Sequence, residues 1–98
     1  MAEIRWTEEA VKWLEDIHAY ITADNSTAAI KVIQGIYEKV QFLSDFPRMG
    51  YLYDNITDRE VRVLLYGHYR IAYLLKPNDE IDILGVFHGA LDITKYLF

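Results

Sequence analysis

The feature that most constrains this chain is a change in the spacing of its apolar residues about halfway along. From residue 7 to residue 46, apolar side chains recur every three or four positions, which is the period of an amphipathic helix. From residue 60 to residue 88 they largely alternate with polar ones, which is typical of strands. A helical first half and an alternating second half together predict helices packed on one face of a sheet.

Two helices are predicted in the first half, after a short strand over residues 2–6. Thr7 is a suitable N-cap for the first helix, and the segment 24–26 supplies the turn and the cap of the second. Phe46-Pro47 ends the second helix, because proline disfavours helical backbone in the residue before it. Each helix has one apolar stripe, formed by Ala10, Val11, Leu14, Ile17 and Ile21, and by Ala29, Val32, Ile33, Ile36, Val40 and Leu43.

Three strands joined by tight turns are predicted in the second half, over residues 60–66, 68–75 and 80–88. Such short turns predict an antiparallel meander. The segment 48–58 has no period and is expected to be a surface loop, and residues 91–98 form either a last short helix or a tail.

The predicted fold class is α+β, with the element order β-α-α-β-β-β in a single domain over residues 1–98. An N-terminal helix hairpin packs on one face of a mainly antiparallel four-stranded sheet. The position of the first strand in the sheet stays open.

Alternation predicts which side chains of the sheet face the helices. The more apolar set is assigned to the core: Tyr69, Ile71, Tyr73, Leu75, Ile81, Ile83 and Phe87. The other set places His68, Arg70 and His88 on the face away from the helices, and Arg62 is expected to join them.

Arg62, His68, Arg70 and His88 are the one group in this sequence with a chemical rationale. Arginines bind phosphates, and a histidine can transfer a proton. Together they could help a 2′-hydroxyl of RNA attack its own phosphate. The alternative, which the spacing alone favours, is that an uncovered sheet face simply carries polar residues. The histidines lack metal-ligand spacing and no cofactor motif is present, so neither a metal nor a cofactor is expected.

The charge of the chain argues against nucleic-acid binding. Its net charge is −5, which is divided nearly evenly between its two halves, and no Lys/Arg cluster occurs. Direct DNA binding by this chain alone is therefore not expected. The absence of cysteine excludes disulfides and a cysteine nucleophile. No secretion signal or membrane-length apolar run is present, which predicts a cytoplasmic protein without a membrane partner.

Four segments, in order, resemble the ParE-type toxins of the RelE/ParE superfamily. They are IRWTEEAVKWLEDIHAYI, FLSDFPRMG with Phe46, Pro47 and Gly50, VRVLLYGHYRIAYLL with Arg62, Gly67, Tyr69, Ile71 and Tyr73, and IDILGVFHGALD with His88, Gly89 and Asp92. The resemblance spans nearly the whole chain.

The resemblance implies the toxin of a type II toxin–antitoxin system of the plasmid stabilisation type, neutralised by a cognate antitoxin in a hetero-oligomer. ParE-like members poison DNA gyrase, whereas RelE-like members cut mRNA in the ribosomal A site. The ParE-like ending and the scarcity of lysine favour a gyrase inhibitor that is not an enzyme.

Partner contacts are then expected at Arg62 and Arg70 and in the apolar tail, at Tyr96, Leu97 and Phe98. Two alternatives stay open. One is a ribosome-dependent mRNA endonuclease that uses Arg62, His68, Arg70 and His88. The other is a non-toxic paralogue that only binds protein.

Overall fold

The described residues form a helix hairpin, a five-stranded sheet and a short C-terminal helix. The structure is a computed structural model that describes residues 2–89 and 91–97. Along the chain the elements are β1 (Glu3–Trp6), α1 (Glu8–Thr22), α2 (Ser26–Gln41), one 3₁₀ turn (Phe42–Ser44), β2 (Tyr51–Leu52), β3 (Glu60–Tyr66), β4 (Tyr69–Leu75), β5 (Glu80–His88) and α3 (Thr94–Leu97). The predicted α+β class and the order of the predicted elements are confirmed.

The sheet has the strand order β1-β5-β4-β3-β2 in the described part of the chain. β1 runs parallel to β5, and the other neighbouring pairs are antiparallel. The prediction of four strands is wrong by one, because Tyr51 pairs with Val63 and Leu52 pairs with Arg62 to form β2. This strand lies inside the segment that was expected to be a loop, and two residues are too few to show an alternation.

Both helices begin at caps that the sequence predicts. Thr7 Oγ1 accepts a hydrogen bond from Ala10 N at 3.1 Å, and Asn25 Oδ1 accepts one from Ala28 N at 3.0 Å. Each cap satisfies an N–H group that the first turn of a helix leaves unpaired, and contributes roughly 1 kcal/mol. The short connection between α1 and α2 turns them into a hairpin whose apolar stripes face the sheet.

The main core lies between this hairpin and the sheet, as predicted. Side chains with no exposed surface fill it from both sides: Ile36, Val40 and Leu43 from α2 and the turn after it, and Ile71, Tyr73, Ile81, Ile83 and Val86 from the sheet.

A bulge interrupts the pairing of β4 with β5. Ala72 pairs with Gly85, but the next residue, Tyr73, pairs with Ile83, so Leu84 has no partner across the ladder. One extra residue on one strand shifts every later side chain of that strand to the other face.

The bulge overturns the predicted faces of the last residues of β5. His88 pairs with Tyr69 and lies on the helix side of the sheet, together with the buried Val86. Phe87 pairs with Arg70 and lies on the opposite side. The prediction was wrong here because alternation was counted through the strand without interruption.

The face away from the helix hairpin carries a second, smaller core. Its buried members are Val63, Ala72, Phe87 and Ile93, with Leu91 and Leu97 packed against them. Residues 91–97 therefore lie over a face that was predicted to be uncovered, so the apolar C-terminal segment packs on its own domain.

Candidate functional site

The four residues predicted as a catalytic group do not meet on one surface. Arg62 pairs with Tyr73 and lies on the helix side of the sheet, whereas Arg70 pairs with Phe87 and lies on the opposite side. The expectation that these arginines share an open face is wrong, because their side chains leave the sheet in opposite directions. Two cations on opposite faces cannot hold the same phosphate.

Arg62 anchors the loop that precedes β2. Its Nε donates to Glu60 Oε2 at 2.7 Å, and its Nη1 donates to the carbonyl oxygen of Gly50 at 2.8 Å. Arg48 Nε lies 3.6 Å from the same Glu60 carboxylate oxygen. The Arg62 side chain is only 18% exposed. Its guanidinium is therefore fixed by the fold, and its charge is largely offset by a neighbouring carboxylate.

Arg70 holds the C-terminal segment against the sheet. Its Nη2 donates a hydrogen bond to the carbonyl oxygen of Leu91. Its Nε is buried without a hydrogen-bond partner among the described residues. The guanidinium therefore lies beneath residues 91–97 instead of on an open surface.

The two histidines of the predicted group lie at one end of the sheet. His68 is exposed in the turn between β3 and β4, and its carbonyl oxygen accepts a hydrogen bond from Gly89 N at 2.8 Å. The ring of His88 lies edge-on to the ring of Tyr69, with centroids 6.2 Å apart and planes at 87°. This contact places His88 on the helix side of the sheet, away from the Arg70 side chain.

An apolar groove lies between α1 and the adjoining ends of β4 and β5. Its volume is about 470 Å³, and we call it the α1 groove. It is lined by Trp13, Asp16, Ile17, Tyr20, Tyr69, Val86, His88 and Leu91. Aromatic rings form much of its wall, Asp16 is the one carboxylate among its described lining residues, and the Tyr20 side chain is highly exposed.

Trp13 connects this groove to the C-terminal helix. The centroid of its ring lies 4.7 Å from that of Phe87 and 5.2 Å from that of Tyr96, and both ring pairs pack edge-on. Tyr96 is about half exposed, and Leu97 packs partly buried against the second core. These are two of the three tail residues predicted to bind a partner, and the third, Phe98, lies outside the described residues.

Asp82 is a buried carboxylate on the face opposite the helix hairpin. Its Oδ2 lies 2.9 Å from Lys76 Nζ and 3.0 Å from Arg5 Nη2. Burial by itself raises the pKa of this carboxyl, but hydrogen bonds from Lys76 and Arg5 outweigh burial and hold the pKa below its ordinary value. This ion cluster ties β1 and the end of β4 to β5.

Two kinds of site can be assessed over residues 2–89 and 91–97. No group of three or more histidine, aspartate or glutamate side chains in these ranges is arranged to hold a metal ion. No helix in the same ranges is long and apolar enough to cross a membrane.

Comparison with known proteins identifies the family. A family model described as "ParE toxin of type II toxin-antitoxin system, parDE" matches residues 4–93. The chain belongs to the ParE toxin family. It is therefore the toxin component of a type II toxin–antitoxin system.

Relatives of this ParE-family toxin agree with it in sequence and in fold. A "Putative toxin Y4kP" of Sinorhizobium fredii (strain NBRC 101917 / NGR234) is 35% identical over 86 residues, which cover 88% of this chain and 86% of the relative. A solved structure described as "Chromosomal ParDE TA system from P. aeruginosa" superimposes with a TM-score of 0.73 at 25% identity, covering 90% of this chain and 96% of that one.

Three residues of the α1 groove in this ParE-family toxin, Trp13, Asp16 and Tyr20, were not predicted from the sequence. One signal was available, since Trp13 and Tyr20 are seven residues apart and lie on the same side of a helix, about two turns from each other. A helix that carries two large aromatic rings on one side, next to its apolar stripe, offers a contact surface.

Proposed function

We propose that this toxin, when free, inhibits DNA gyrase by binding to it, and that a cognate antitoxin keeps it inactive in a hetero-oligomer. Membership of the ParE family supports both parts of the proposal. The superimposed P. aeruginosa structure is described as a ParDE toxin–antitoxin system, which supports an antitoxin partner for this chain as well. The site of action is then the cytoplasm, where gyrase acts on DNA.

The placement of Arg62 and Arg70 is the observation that favours gyrase over ribosome-bound mRNA as the target. Cleavage of RNA requires cations that are preorganised around one phosphate in the transition state. Here the two arginines lie on opposite faces of the sheet, and each donates hydrogen bonds to main-chain carbonyl groups of this chain. A net charge of −5 also disfavours approach to the polyanionic ribosome.

A protein inhibitor needs contact residues instead of a catalytic centre. Aromatic and arginine side chains are the usual anchors of protein interfaces. Tyr96 and Leu97 lie beside each other on α3, and the Tyr96 ring is half exposed. We assign the tail, including Phe98, to partner binding. Arg62 and Arg70 contribute to partner binding indirectly, because Arg62 holds the loop before β2 and Arg70 holds the C-terminal segment.

A cleavage assay with purified gyrase tests the target. Supercoiled plasmid, gyrase and ATP are incubated with the free toxin, and linear DNA is measured after denaturation of the enzyme. The proposal expects linear DNA to accumulate with toxin concentration. The same preparation is added to ribosomes that are translating a defined mRNA, and primer extension on that mRNA measures cleavage. Cleaved mRNA without linear plasmid would overturn the gyrase assignment in favour of the nuclease.

A growth experiment tests whether toxicity is retained at all. Expression of the chain alone should slow growth, and co-expression of the neighbouring short open reading frame should restore it and yield a copurifying complex. Normal growth of cells that contain the folded protein would favour a non-toxic, protein-binding paralogue.

A further inference from the structure

The described lining of the α1 groove combines apolar side chains with one carboxylate, that of Asp16. Ile17 and Val86 contribute aliphatic surface, and Trp13 and Tyr69 contribute aromatic rings. A volume of about 470 Å³ accommodates one or two large side chains of a partner. The shape therefore suits an apolar segment of protein.

The electrostatics of α1 specify the charge of that segment. The helix carries four carboxylates, Glu8, Glu9, Glu15 and Asp16, against the single cation Lys12. Of these carboxylates, only Asp16 lines the groove. Within the described part of the chain, Asp16 has no cation within salt-bridge distance. A carboxylate beside an apolar groove attracts a basic side chain of the occupant.

Tyr20 offers a second contact for the same basic group. Its side chain is 83% exposed, although a tyrosine ring of this size is usually covered, and it follows Asp16 by four residues on α1. Residues four apart on a helix are neighbours on its surface. A guanidinium or ammonium group can therefore lie over the Tyr20 ring while it pairs with the Asp16 carboxylate.

From these contacts we propose that the α1 groove binds an apolar segment of the antitoxin through a basic side chain, which Asp16 and Tyr20 recognise together. The inference rests on the proposed antitoxin partner and adds the charge and the anchor by which that partner is selected. A second copy of this chain is a poor occupant, because it would bring a net charge of −5 to an acidic helix.

The test compares charge reversal at two adjacent positions of α1. Asp16→Arg changes the groove, whereas Glu15→Arg makes the same charge change about 100° around the helix, outside it. The probe is the purified antitoxin from the neighbouring gene, titrated by calorimetry against each folded toxin variant. We expect Asp16→Arg and Tyr20→Ala each to weaken binding by at least about tenfold, since a like charge or a lost anchor at an interface centre costs this much. Glu15→Arg should stay within about threefold of the original affinity.

A charge exchange completes the test. Each arginine and lysine of the antitoxin is changed to glutamate in turn, and one of these variants should recover binding to the Asp16→Arg toxin. If the Asp16→Arg toxin bound the antitoxin with full affinity, this inference alone would be overturned. The same holds if the free toxin formed a dimer that Asp16→Arg dissociates, because a second copy would then occupy the groove. Failure of the antitoxin to bind the unmodified toxin would overturn the antitoxin assignment as well.

Discussion

The indole ring of Trp13 lies edge-on against the phenol ring of Tyr96, with centroids 5.2 Å apart and planes at 88°. Trp13 belongs to α1 and Tyr96 to α3, so the contact joins the helix hairpin to the segment on the opposite face of the sheet. The contact lies beside the edge of β5 that β1 leaves uncovered, because β1 pairs with β5 only as far as Ile83. The C-terminal segment is thus both part of the fold and part of the exposed surface.

The first prediction separates these two roles at Tyr96. Tyr96→Phe should keep stability and toxicity, because the ring remains. Tyr96→Ala should cost roughly 1 kcal/mol of unfolding free energy, since it removes two aromatic contacts. If the tail binds gyrase, Tyr96→Ala should also raise the toxin concentration that gives half-maximal gyrase-mediated DNA cleavage, while circular dichroism shows a folded chain. Truncation of residues 93–98 is a poorer test, because it also removes the buried Ile93.

The second prediction concerns the hydroxyl group of Tyr73. This buried hydroxyl donates to the carbonyl oxygen of Pro47 at 2.8 Å and accepts from Gly50 N at 3.0 Å. Burial raises its pKa above the ordinary value, in keeping with a neutral donor in the core. Tyr73→Phe should lower the unfolding free energy by about 1–3 kcal/mol in urea titrations, because the carbonyl oxygen of Pro47 and the N–H of Gly50 both lose their hydrogen-bond partner. Tyr51→Phe, at an exposed ring, should change the unfolding free energy little.

The third prediction is a pH dependence that comes from Asp82. Its pKa is lower in the folded chain than in the unfolded chain. The stabilisation is therefore present above the unfolded value of about 3.9 and is lost as pH falls through the lower, folded value. Asp82→Asn should cost about 1–3 kcal/mol near pH 7, and this cost should shrink toward pH 3. Asp16→Asn, at an exposed carboxylate, is the control. An equal cost of Asp82→Asn at both pH values would contradict the assignment.

The fourth prediction tests the histidines. His68→Gln combined with His88→Gln should leave growth inhibition nearly unchanged, because gyrase binding needs no proton transfer. In a nuclease, loss of acid–base catalysis would lower the rate by at least roughly 100-fold. A harmless double variant that is folded and still binds the antitoxin would favour the nuclease over the gyrase inhibitor.

Local signals in the sequence were enough for every α-helix and strand except β2 and the short α3, and for most of the core. Thr7 and Asn25 lie next to apolar residues with helical spacing, and both act as caps in the structure. Tyr73 and Ile81 lie on the alternating positions assigned to the core, and both are fully buried. Caps and periodicity act between residues close in the chain, so they can be read without knowledge of the fold.

The candidate site depended on features that no local pattern records. The extra residue Leu84 turned His88 toward the helices, and residues 91–97 covered the Arg70 side chain. A bulge is set by how two strands pair, and the covering of a face by where a distant segment packs. The sequence by itself therefore determined the α+β class and the order of most elements, because these follow from the spacing of apolar residues, and the resemblance of four segments pointed to the family that the family model confirms. Only the tertiary structure decided which polar side chains meet, since that depends on pairing register and packing between segments far apart in the chain.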